Sequence, residues 1–188
     1  MDMSLSVFLE SKGISKAKAA LLAKELKPVI FKSNTPLLAQ GEHWQDFYIL
    51  SHGLVRLYYL DSEGKESNKG FFGEGDILAP IAPSAITGPS NFYVETLTEV
   101  HGYQIAYAKV VELLKDCSIS QCLFHCLTSQ LLEDKIEREL MFLQQDAKKR
   151  YAYFSKKYPT LCQQIPLKHI ASYLGMTDVT LSRVKNKN

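Results

Sequence analysis

Near the end of the chain, the stretch TDVTLSRVK places Val179 and Arg183 four residues apart. On a helix that spacing puts both side chains on one face with Thr180 beside them, while Leu181 and Val184 turn inward. A guanidinium fork matches the O6 and N7 acceptors of guanine, and a valine can touch a thymine methyl. Lys168, Thr180, Ser182, Lys185 and Lys187 carry donors suited to phosphate oxygens, which add salt-sensitive affinity without reading sequence. Asp178 favours a helix N-terminus but repels a phosphate. The chemistry this pattern offers is recognition of a polyanion, with Val179 and Arg183 as base-edge readers.

Such readers need a scaffold, and the residues before them supply one. Ile165, Ile170, Leu174, Leu181 and Val184 form an apolar inner face. Ala171 is small enough for two helices to approach closely, Gly175 suits the left-handed residue that ends a helix, and Thr177 suits the N-cap of the next. This is the constellation of a helix-turn-helix. Charge agrees with it. Residues 1–147 carry 13 Lys and Arg against 19 Asp and Glu, a net −6, whereas residues 148–188 carry 9 against 1, a net +8. A basic module attached to an acidic body expects a polyanionic partner, here double-stranded DNA.

Other chemistries find little support. No nucleophile sits with a base, and Glu133, Asp134, Glu137 and Glu139 read as a solvated helix face, so no catalysis is expected. His43, His52, His101, His125 and His169 lie apart without an HxH or HExxH pattern, so no metal is expected either. Cys117, Cys122, Cys126 and Cys162 form no CxxC pair. They read as small packed hydrophobes, with a redox sensor or an iron–sulfur ligand set as the alternative. Within 188 residues, no apolar run is long enough to cross a membrane and the N-terminus lacks signal-peptide features, so a cytoplasmic protein is expected.

The remaining chain predicts an α+β architecture. SKAKAALLAKEL, residues 15–26, has helical spacing and is closed by Pro28. From Val29 to about Ile105, short apolar or alternating runs broken by turn residues predict an antiparallel β jelly-roll barrel. Within it, GLVRLYYLDSEGKESNKGFF reads as a hairpin with Val55, Leu57 and Tyr59 on one face and Arg56 and Tyr58 on the other. Residues 78–92 carry Pro80, Pro83 and Pro89 and predict a loop. A long helix follows, about residues 109–144, with a break near 116–118. Its stripe of Leu123, Leu127, Leu131, Ile136 and Leu140, continuing to Leu143, is too long for one small barrel to cover, which predicts pairing with a second copy. The alternative is a helix simply laid on the barrel. The resulting division is an effector barrel over 1–115, a long dimerisation helix over 116–146 and a small helical DNA-binding domain over 147–188, with no wing hairpin expected after Val184.

This order resembles the Crp/Fnr family of transcription regulators along nearly the whole chain. ILSHGLVRLYYLDSEGKE is similar to the family's barrel hairpin, and RYAYFSKKYPTLCQQIPLKHIASYLGMTDVTLSR to its DNA-binding domain. Tyr158-Pro159, Ile165-Pro166 and IASYLGMTDVTLSR resemble a branch common in Bacteroidetes. The resemblance implies a homodimer on a pseudo-palindromic DNA site, with RNA polymerase as a further candidate partner. It also implies a sensor pocket in the barrel. Where cyclic-AMP-binding members carry Gly-Glu-Leu and Arg-Ser, this chain has Ala79-Pro80-Ile81 and Ser90-Asn91. Without that carboxylate and arginine, poor or no cyclic-AMP binding is expected. The candidate effector-pocket residues are Arg56, Lys69, Ser90 and Asn91, the effector is unknown, and no cofactor is predicted. A sensor or interaction protein that has lost specific DNA binding is the competing expectation, kept open by Asp178.

Overall fold

The computed structural model describes residues 4–115 and 117–186, without the side chains of residues 117–122. Helices α1 (Leu5–Ser11) and α2 (Lys16–Glu25) precede eight strands: β1 (Lys27–Phe31), β2 (Pro36–Leu38), β3 (Asp46–His52), β4 (Val55–Leu60), β5 (Glu66–Phe72), β6 (Ile77–Leu78), β7 (Tyr93–Thr96) and β8 (Val100–Ala106). They form two antiparallel four-stranded sheets, ordered β1-β8-β3-β6 and β2-β7-β4-β5. The expected barrel is corrected to this open pair of sheets. No ladder joins them, because Pro80 and Pro83 cut β6 off after two residues and β2 runs for only three. The proline-rich stretch is also not all loop, since α3 (Pro83–Thr87) starts with proline at a position where no amide hydrogen is needed.

Period-2 alternation distributes the side chains among three cores. In β3, Tyr48 and Leu50 face the space between the sheets, where they meet Leu38, Val55, Leu57, Phe92 and Val94. Phe47 and Ile49 face the other way, against Leu9, Leu22, Val110, Leu123 and Leu127 of the helices. In β4, Val55 and Leu57 point inward, whereas Arg56 turns out and lies 3.9 Å from the ring centre of Tyr58.

Strand β5 breaks the alternation. Leu57 pairs with Gly70 and Tyr58 with Asn68, so Lys69 is an extra residue in the ladder, a β-bulge. The bulge resets the parity of the strand. Asn68 and Phe71, three apart, both face the C-terminal helices, while Lys69 and Phe72, also three apart, both line a pocket beside Leu57 and Tyr59.

Helix α4 (Tyr107–Leu113) is followed by α5 (Cys117–Gln144); of the break expected near 116–118, residues 117 and 118 are helical and residue 116 lies outside the described residues. The expected seam on α5 needs correction at its start. Leu123 (0% exposed) and Leu127 (8%) are buried in the core against the first sheet, and Leu131 lines the pocket, so these three face the chain itself. Ile136 (49%) and Leu140 (50%) are exposed, and so are Leu132 (58%) and Leu143 (77%). The open stripe therefore begins one turn after Leu127 and runs through Leu132, Ile136, Leu140 and Leu143, a spacing of four, four and three.

Four helices close the fold: α6 (Ala147–Lys157), α7 (Pro159–Gln164), α8 (Leu167–Tyr173) and α9 (Asp178–Asn186). Their core contains Phe154, Ile170, Ala171, Leu174 and Leu181, and it also takes in Phe71 from the second sheet, Leu54 and Leu97 from just before β4 and just after β7, and Met141 from α5. Arg150 ties the junction by donating to the carbonyls of Phe142, Gln145 and Leu174. Gly175 has φ +64° in the α8–α9 turn, and a Cβ there would strike the ring of Phe142. Gly175→Ala should therefore lower unfolding free energy by about 1–2 kcal/mol from backbone conformation alone, with the ring clash adding to it. Chemical denaturation of the two proteins measures this; equal stability would show that the turn does not need its left-handed residue.

Candidate functional site

The second sheet and the C-terminal helices meet around one buried cation. Arg56, 4% exposed, ion-pairs with Glu66 of the neighbouring β5 and, at 3.2 Å, with Glu95 of β7. Cross-strand pairing explains this, because Arg56 sits directly opposite Glu95 on one side and within reach of Glu66 on the other. Its third partner is His169 of α8, whose Nδ1 lies 3.1 Å from a guanidinium nitrogen and 3.4 Å from the amide nitrogen of Asn68. Both neighbours are donors, so Nδ1 must accept and the imidazole must be neutral. Burial pushes the His169 pKa down to about 4, with the positive charges of Arg56 and Lys168 acting in the same direction and Glu66 and Glu95 opposing them. Ser172 completes the contact, accepting from the Asn68 amide at 2.9 Å and donating to the Glu66 carbonyl at 3.2 Å.

This geometry relocates one predicted pocket residue. Arg56 is corrected from the effector pocket to the sheet–helix junction, since its outward parity in β4 points it at α8. Ser90 is corrected as well: it is buried and bonded to the Phe92 backbone, so it shapes its own loop. Lys69 and Asn91 do line the pocket, a cavity of about 200 Å³ with Trp44, Leu57, Tyr59, Phe72, Phe92 and Leu131 among its walls. The Lys69 ammonium stands 3.8 Å from the ring centre of Phe92 and 5.4 Å from that of Tyr59. Desolvation, reinforced by the charge of Lys135, lowers its pKa to about 8.

Helix α9 turns Leu181 inward and leaves Val179 and Arg183 exposed. Thr177 caps it by accepting from the Thr180 amide at 3.2 Å, and Leu181 is fully buried. Val179 is 60% exposed and Arg183 is exposed on the same side, with Ser182 and Lys185 also exposed. Lys168 and Val179 open onto a cleft of about 760 Å³ whose far wall is Lys65 to Asn68 of the β4–β5 hairpin. Thr180 and Arg183 instead line a separate depression of about 220 Å³ with Lys148 and Val184. Lys187 lies outside the described residues.

Several site residues carried no sequence signal strong enough to find them. Glu66, Glu95 and His169 become partners only through strand pairing and the docking of α8. Leu132 sat off the stripe predicted for α5. Among the described residues, no group of three His, Cys, Asp or Glu could hold a metal ion, and no helix is long and apolar enough to cross a membrane.

Residues 28–117 match the family described as cyclic nucleotide-binding domain. No curated protein matches the chain in sequence. Among solved structures, FixK2 from Bradyrhizobium japonicum is similar with a TM-score of 0.74 at 19% identity, over 86% of this chain and 83% of that one. The c-di-GMP-responsive global regulator CLP of Xanthomonas campestris follows with 0.71 at 14% identity, over 92% and 91%. The catabolite activator protein of Thermus thermophilus aligns with 0.55 at 21% identity, over 93% and 84%. At these identities the likeness is one of fold.

The neutral state of His169 makes a pH prediction. An unfolded histidine takes up its proton near 6.5 and the folded one near 4. The unfolded state therefore binds more protons in that window, and stability falls as pH drops through it. Urea denaturation of wild type and His169→Asn between pH 7 and 4.5 should show a steeper loss in wild type; parallel losses would mean that His169 is not held neutral.

Proposed function

We propose that the chain is a homodimeric, cytoplasmic, DNA-binding transcription regulator of the Crp/Fnr type, of the branch common in Bacteroidetes, whose two-sheet unit is a sensor that does not take cyclic AMP. The observation that carries this reading is helix α9. It anchors itself through the fully buried Leu181 and presents Val179 and Arg183 outward from the basic end of the chain. A recognition helix needs that division between an inner face that fixes its angle and an outer face free to enter a major groove. Val179 and Arg183 read base edges, while Lys168, Thr180, Ser182, Lys185 and Lys187 contact phosphates. The match of residues 28–117 to a cyclic nucleotide-binding domain supports the sensor assignment. RNA polymerase is a further candidate partner.

The pairing surface is the exposed part of α5. Four large apolar side chains at coiled-coil spacing stand in solvent in a single copy. Pairing two such helices buries them and sets two α9 helices on one duplex, so a pseudo-palindromic site follows from the two-fold symmetry. A second reading, a sensor or interaction protein without specific DNA binding, draws on the cleft between Val179 and the β4–β5 hairpin, which faces this chain's own sheet.

Two measurements test the proposal. In fluorescence anisotropy on sites selected from random duplex DNA, Arg183→Ala should weaken binding about tenfold and flatten the preference over scrambled sequence, as loss of a bidentate base contact does. Equal, non-selective, salt-sensitive binding by both proteins favours the second reading. In light scattering, Ile136→Glu with Leu140→Glu should convert a dimer to a monomer; an unchanged mass would remove α5 as the seam.

A further inference from the structure

The pocket behind the β5 bulge combines an apolar cavity with one unpaired cation. Among the described residues no carboxylate pairs with the Lys69 ammonium, which lies instead over Phe92 and Tyr59. A lysine that served only solubility would carry its charge out to water along its flexible stem. The bulge instead turns Lys69 to the same side as Phe72, where it lines the cavity and borders the neighbouring cleft of Asp76, Asp134 and Lys135. The bulge is also held from behind. Arg138 of α5 donates to the carbonyls of Asn68 and Lys69 at 3.1 and 3.0 Å and, at 3.0 Å, to that of Tyr173. Strand irregularities supported in this way re-aim a side chain toward a site.

We propose that this pocket binds a small amphipathic carboxylic acid, its carboxylate on Lys69 and its apolar body among Trp44, Leu57, Phe72, Phe92 and Leu131. The inference rests on the reading of the two-sheet unit as a sensor and names its ligand class. Size limits the ligand first. At about 200 Å³ the cavity is below the ~300 Å³ at which ordinary ligand pockets begin, so only a small molecule fits. Charge limits it next. Lys69 is the one cation on the lining, with Asn91 and Ser84 as further polar residues and the charge of Lys135 acting from the neighbouring cleft. This suits a single carboxylate, whereas a phosphate needs several convergent donors. The walls decide the rest, since aromatic and aliphatic side chains reward an apolar body and leave sugar hydroxyls unpaired. Leu131 makes α5 one wall, and Arg138, two turns further along that helix, grips the bulge. A carboxylate drawn to Lys69 thus acts on the same helix that carries the exposed stripe.

Titration calorimetry on the full chain tests this, with phenylacetate and octanoate as probes, phenylacetamide as the neutral shape control, and cyclic AMP. At least one carboxylate should bind saturably, with phenylacetamide at least tenfold weaker than phenylacetate and cyclic AMP giving no heat. Lys69→Met should remove carboxylate binding, and Ala85→Phe, which fills the cavity and leaves the lysine in place, should remove it too. Raising the pH from 7 to 9 should weaken it, as Lys69 loses its proton near 8. The proposal is overturned if neither carboxylate binds at millimolar concentration, if amide and acid bind alike, or if Lys69→Met binds as wild type does. Should Lys69→Met prove unfolded by circular dichroism, the Ala85→Phe result decides. DNA anisotropy on the same preparations separates the two readings. Intact DNA selectivity without carboxylate binding overturns only this inference, whereas carboxylate binding without DNA selectivity overturns only the regulator.

Discussion

A single extra residue in β5 shapes both the sheet–helix junction and the pocket beside it. Strict alternation would send every second side chain of the strand to the same face, so Asn68 and Phe71 could not both reach the C-terminal helices while Lys69 and Phe72 both reached the pocket. The bulge at Lys69 and Gly70 makes that possible. Arg138 of α5 holds the bulge in place by donating to the carbonyls of Asn68 and Lys69. Sheet, long helix and C-terminal helices thus depend on one another at one place.

The junction beside the bulge follows from the electrostatics of buried charge. A guanidinium removed from water is tolerated only with partners that satisfy its donors, and Arg56 has two carboxylates and an imidazole nitrogen. The two carboxylates come from the sheet itself, so most of the compensation exists before α8 docks. His169 then supplies a neutral acceptor and no charge. Such a contact gives α8 a defined seat through directional hydrogen bonds and leaves most of its adhesion to the aromatic packing of Phe71, Phe154 and Tyr173. Helix position and sheet geometry are thus fixed relative to one another through these side chains.

Local patterns were read well from the sequence and long-range pairings were not. The hairpin parity of Val55, Arg56, Leu57 and Tyr58, the turn at Gly175 and the cap at Thr177 all rest on interactions within a few residues, and each appears where periodicity or turn chemistry placed it. The destination of Arg56 required knowing that β4 lies between β5 and β7 and that α8 covers its outer face. Leu123 and Leu127 share helical spacing with the exposed stripe, and only the position of the first sheet shows that they belong to the core. The bulge had no marker beyond a glycine, because nothing in SNKGFF reveals that the ladder shifts register there.

Strand β5 lies at the end of its sheet, with β4 on one side and no strand on the other. Such borders are templates for pairing with other chains, and proteins cover or blunt them. Here the cover is made of side chains. Ser172 accepts from the backbone N–H of Asn68 and donates to the carbonyl of Glu66, while Arg138 donates to the carbonyls of Asn68 and Lys69. The helices that carry the outward face of α9 are therefore also the guard on the most vulnerable border of the sheet. Any movement that lifts α8 away uncovers a strip of unpaired backbone together with the aromatic ring of Phe71. Substitutions that loosen α8 therefore open this border to pairing with other copies of the chain.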